Sequence, residues 1–77
     1  MANMRMLMYK LQTALMQRGR LVYIGQFQNY SKKAGRMVTK IVLSEKNDEG
    51  RMVRIFESWN THEVVQFLAA QLNGGDG

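Results

Sequence analysis

The sequence predicts an α+β fold of helix, three-stranded antiparallel sheet and helix (αβββα), with both helices packed on one face of the sheet. Three observations carry this reading. Apolar residues recur at spacings of three and four near both ends of the chain, as on one stripe of a helix. Between them, residues 20–59 are rich in β-branched and aromatic residues, with stretches that alternate apolar and polar. Two polar clusters containing glycine, SKKAG and KNDEG, divide that stretch into three.

The first helix is read over residues 4–18. Met4, Leu7, Met8, Leu11, Ala14 and Leu15 form its stripe, no Gly or Pro interrupts it, and Gly19 stands where a terminating glycine belongs. Arg18 falls in the last turn, where the helix dipole favours a cation. RLVYIGQFQNY is the first strand, with a break or bulge expected near Gly25. In RMVTKIVLSE, Met37, Thr39, Ile41 and Leu43 share one face, and Arg36, Val38, Lys40 and Val42 the other. KNDEG is a turn, and RMVRIFESW pairs back as the third strand, Val53 and Ile55 alternating with Arg54 and Phe56. Asn60 then opens the last helix as its cap, with Glu63 placed to complete a capping box. Val64, Val65, Leu68, Ala69 and Leu72 form the stripe of this helix. Residues 1–73 are expected to make a single domain and 74–77, in the NGGDG stop, a disordered tail. A stripe on each helix needs apolar surface to lie on, and one face of a three-stranded sheet supplies it.

Composition excludes several classes. The chain has 77 residues, no Cys and one His, His62, so neither a disulfide framework nor a zinc site is expected. The lack of Cys fits a reducing cytoplasm. The longest apolar runs are three or four residues, against the roughly 20 that a spanning helix needs, so no membrane partner is expected. The N-terminal stretch is basic and amphipathic like a transit peptide, but it is read as a core helix because it carries the most apolar stripe. His62 lacks a positioned activating partner, the acids Glu45, Asp48 and Glu49 lack the spacing of a calcium loop, and no phosphate-binding glycine loop occurs. No enzyme activity, cofactor or small-molecule substrate is expected.

In its order of elements the chain resembles the double-stranded-RNA-binding domain. That family carries a basic Lys-Lys-x-Ala-Lys-like run at the start of its final helix, seated on phosphates. Here the final helix begins NTHEVV, with an acid and no Lys or Arg, and the Lys-Lys pair falls between strands. The likeness is one of topology, and the chain is not assigned to the family.

Charge is the most informative feature. Residues 1–44 carry +8 with no acid, and residues 45–77 carry −3, for a net +5. Such asymmetry favours an anionic partner for the first half. Arg20, Lys32, Lys33, Arg36 and Lys40 are the candidate nucleic-acid contacts, centred on the stretch NYSKKAGRMVTK. Tyr23, Phe27, Tyr30, Phe56 and Trp59 interleave with the cations, a combination suited to single-stranded nucleic acid. At least three of these five rings are expected to serve mainly as core. The alternative is a protein-interaction or self-assembly module. Met6, Tyr9 and Met16 lie off the stripe of the first helix around Thr13, and Phe67 lies off the stripe of the last, as a homodimer or partner surface.

Overall fold

The computed structural model describes residues 3–74. Helix α1 spans Met4–Gln17, strands β1, β2 and β3 span Val22–Ser31, Arg36–Lys46 and Met52–Ser58, and helix α2 spans Thr61–Gly74. The fold is α+β in the expected order. Strand order is β1-β2-β3 with both pairings antiparallel, so β2 is central. Apart from Gly74, which ends α2, the tail expected over 74–77 lies outside the described residues.

Both helices lie over the sheet face that carries Val22, Ile24, Ile41 and Leu43. Met8 and Leu15 of α1 meet Val64, Val65 and Leu68 of α2 there, with Val22, Ile41 and Leu43 beneath them. Burying each of these aliphatic side chains contributes about 1.5–3 kcal/mol, the main stabilising term in so small a domain. Ile24, Phe56, Phe67 and Leu72 pack around this centre, half-buried.

Local chemistry explains the boundaries. Asn3 caps α1, its Oδ1 accepting from the amides of Arg5 and Met6 at 3.0 and 3.3 Å. Gly19 follows the helix at φ +89°, a left-handed conformation that favours glycine. Arg18 serves the other helix: it lies just past the last turn of α1, and its Nη1 donates to the carbonyl of Leu72 near the end of α2 at 2.7 Å. A cation there complements the terminal carbonyls.

Two strand details differ from expectation. β1 runs unbroken through Gly25, which pairs with Val42. The glycine leaves room for Phe27, whose ring leans back over the strand so that a Cβ at Gly25 would stand 3.2 Å from its Cε2. The irregularity falls instead between β2 and β3, where Leu43 pairs with Phe56 but Ser44 pairs with Arg54. Ile55 is the extra residue, so the simple alternation of Val53 and Ile55 against Arg54 and Phe56 fails. The shift puts Phe56 on the helix side, stacked on Phe67 with centroids 4.4 Å apart.

The cap of α2 also differs in one link. Asn60 Oδ1 accepts from the His62 amide at 2.8 Å, as a cap should. Glu63 does not reach the Asn60 amide directly. That amide donates to Oγ of Ser58 at 3.0 Å, and the Ser58 hydroxyl donates to Glu63 Oε1 at 2.5 Å. Ser58 is thus inserted into the box, and its hydroxyl is satisfied although the residue is buried.

Candidate nucleic-acid interface

Strand periodicity and the observed register define the sheet face away from the helices. Its β1 row is Tyr23, Gly25, Phe27, Asn29 and Ser31. Opposite them on β2 stand Ser44, Val42, Lys40, Val38 and Arg36. Arg54 and Glu57 continue the face on β3, opposite Ser44 and Val42. No helix covers it. Val42 is nevertheless buried, beside the glycine over which the Phe27 ring leans.

Lys40 is the centre of this face. It pairs across the strands with Phe27, and its Nζ lies 5.8 Å from the centroid of the Trp59 ring. Phe27 and Trp59 thus stand on opposite sides of Lys40 in the sheet, and each residue is 56% exposed. The ammonium also meets Glu57 Oε2 at 3.3 Å, and Arg54 Nη1 meets the same oxygen at 2.9 Å. Next to this cluster, Asn29, Ser31, Arg36, Val38 and Trp59, with Tyr30, line a shallow groove of about 520 Å³.

The groove opens toward the β1–β2 turn. Ser31 shapes that turn: its carbonyl accepts from the Gly35 amide at 2.8 Å and its hydroxyl from the Ala34 amide at 3.2 Å. Lys32, Lys33 and Arg36 are exposed there, and none of them forms an ion pair among the described residues. Beyond Ile41, β2 has no β3 partner, so residues 36–40 keep one edge open beside Trp59.

The structure thus brings together Lys32, Lys33, Arg36 and Lys40 on the half of the sheet nearer the β1–β2 turn. It does not bring Arg20 there. Arg20 precedes β1 at the opposite end, about 30 Å away along a ten-residue strand. Its guanidinium is committed to Glu45 and to Gln71 Oε1, the latter at 2.7 Å. Arg54 and Trp59 join the face instead. Their signal in the sequence was parity, since Trp59 follows the inward Ser58, but the bulge hid the parity of Arg54.

The aromatic residues also correct the expectation that at least three of five serve mainly as core. Tyr23, Phe27, Tyr30 and Trp59 are exposed, and only Phe56 packs against the core. Met, Leu, Ile and Val side chains fill that space without them. Of the candidate interface residues, Met6 and Tyr9 are exposed and Met16 is half-buried. Phe67 is held against Phe56 rather than presented outward. His62 is exposed, with its Nε2 3.1 Å from Nε2 of Gln66. Among the described residues no three His, Cys, Asp or Glu side chains gather as a metal site, and no helix is long and apolar enough to cross a membrane.

The chain matches no known family model, no curated protein and no solved structure.

Proposed function

We propose that this chain is a non-enzymatic module that binds single-stranded nucleic acid on the open face of its sheet. The observation that carries the reading is the position of Lys40 between two exposed aromatic residues, its cross-strand partner Phe27 and Trp59, whose ring its ammonium approaches. An exposed ring offers a base its flat face whatever the base, worth about 1–3 kcal/mol per stacked base. A cation on the strand between the two aromatic residues is placed for the phosphate that links the two bases. Lys32, Lys33 and Arg36 then continue the cationic track along the groove to the turn. Duplex fits this surface less well, because paired bases do not expose their faces to a flat sheet.

Trp59 is the only tryptophan, so it reports on its own site. Titration with an unstructured oligonucleotide at low salt is expected to quench its fluorescence, and added salt to reverse the quenching. A duplex of the same length should bind more weakly. Unchanged emission and no binding at low salt would overturn the proposal.

A further inference from the structure

The two outer strands of the sheet are treated differently by the sequence. β3 is short, at seven residues, carries Arg54 and Glu57, and is kinked by the bulge at Ile55. Short length, charge and bulges are the devices that keep a sheet edge from pairing with another chain. β1 has none of them. It is ten residues long, VYIGQFQNYS, with no charged residue and no proline, and its register with β2 is unbroken from Val22 to Ser31. In a chain with 11 basic and 6 acidic residues, this is the stretch one would expect to be guarded.

The backbone of that edge is available. The Lys46 amide donates to the Leu21 carbonyl at 2.9 Å, so Leu21 turns its backbone groups toward β2. By strand alternation Val22, Ile24, Gln26, Gln28 and Tyr30 turn theirs outward. Val22 is already served, since Gln12 Nε2 of α1 donates to its carbonyl at 2.9 Å. From Gln26 to Tyr30 every residue is exposed. Helix α1 runs beside this edge. Gln26 Nε2 donates to Tyr9 Oη at 2.6 Å, which brings the exposed Tyr9 and Met6 flank of α1 alongside it.

We infer that a second copy of this chain pairs here, β1 against β1 and antiparallel, about a two-fold axis near Gln26–Gln28. Antiparallel pairing of a strand with its own copy brings the residues near the axis close to their twins, so a charge there would meet like charge. An uncharged strand has no such conflict, and the charge-free run coincides with the edge. The apolar flank of α1 adds side-chain burial to the shared backbone hydrogen bonds. The result is a six-stranded sheet in which the two open faces adjoin.

The test is sedimentation of the full chain from low micromolar to near millimolar concentration, with amide hydrogen exchange at both extremes. A twofold mass is expected at high concentration. The amides of Ile24, Gln26, Gln28 and Tyr30 should gain protection as the dimer forms, while those of Gly25, Phe27 and Asn29 are already protected by β2. Gln28→Lys should leave the fold intact, because the residue is exposed, and weaken the dimer about tenfold or more. Two results would overturn the inference: a monomer throughout the range, or a dimer in which the outward amides exchange as fast as in the monomer.

Discussion

Arg20 closes a two-pronged ion pair on Glu45, with Nε donating to Oε2 at 2.9 Å and Nη2 to Oε1 at 2.8 Å. Hydrogen bonding from the guanidinium, with its charge, holds the Glu45 carboxyl below its ordinary range. A carboxylate whose pKa falls on folding contributes stability that is fully present above its unfolded pKa, near 4.3. That contribution is lost as the pH falls through the lowered folded value. Urea midpoints should therefore drop as the pH falls below about 5. Glu45→Gln should flatten that drop while lowering stability at pH 7, and an unchanged pH profile would show that the pair contributes nothing. Arg20 has the opposite sign, its pKa being raised by the same bond, and its contribution persists throughout this range.

Ser58 is expected to matter more than the cap residue it supports. Ser58→Ala removes the acceptor for the Asn60 amide and the donor to Glu63, leaving polar groups poorly satisfied at a buried turn. It should cost about 1–2 kcal/mol in denaturant unfolding, against about 1 kcal/mol for Asn60→Ala. Equal midpoints for Ser58→Ala and the wild type would mean that water replaces the hydroxyl at no cost.

Phe67 and Met6 should respond in opposite ways, although both were candidates for an outer surface. Phe67→Ala dissolves the stack on Phe56 and should destabilise the domain by about 2 kcal/mol, below the range for fully buried rings because Phe67 is half-buried. Met6→Ala should change stability by no more than about 0.5 kcal/mol at monomer concentrations. Thermal unfolding of the two variants side by side decides the matter.

For the proposed binding, replacing Lys32, Lys33 and Arg36 by Gln should weaken affinity for all oligonucleotides alike, since phosphates carry no base identity. The slope of log affinity against log salt should shrink by about two to three units. Arg20→Gln should leave that slope unchanged, because its guanidinium is engaged at the far end of the sheet. A slope indifferent to the triple variant would move the phosphate contacts elsewhere.

Among the described residues Glu57 is the one acid on the open face, and it holds both Lys40 and Arg54. An incoming phosphate must compete with it. Glu57→Gln should therefore tighten oligonucleotide binding several-fold and steepen the salt slope by up to about two units, one for each cation released. Weaker binding would show instead that the acid orients Lys40 for its contact.

Much of this molecule was determined locally. The stripe containing Met8 and Leu15, the alternation from Met37 to Leu43 and the cap at Asn60 all depend on neighbours within a few residues, and each element formed as its pattern required. The clustering of Lys32, Lys33, Arg36 and Lys40 was legible for the same reason, since a hairpin places its own flanks together. What tertiary structure decided is which side of each element meets the others. Arg20 belonged by charge to the basic group, but Glu45, 25 residues on, claims its guanidinium. Phe67 read as outward until a bulge at Ile55 turned Phe56 toward it. At least three of Tyr23, Phe27, Tyr30, Phe56 and Trp59 were expected to serve mainly as core, yet the helices cover only one face of the sheet, and aliphatic side chains fill the space beneath them. Hydrophobic burial is non-directional, so composition alone does not say which apolar groups win the limited interior of a small domain. The packing of two helices on one face decides it, and leaves the rings of the other face in water.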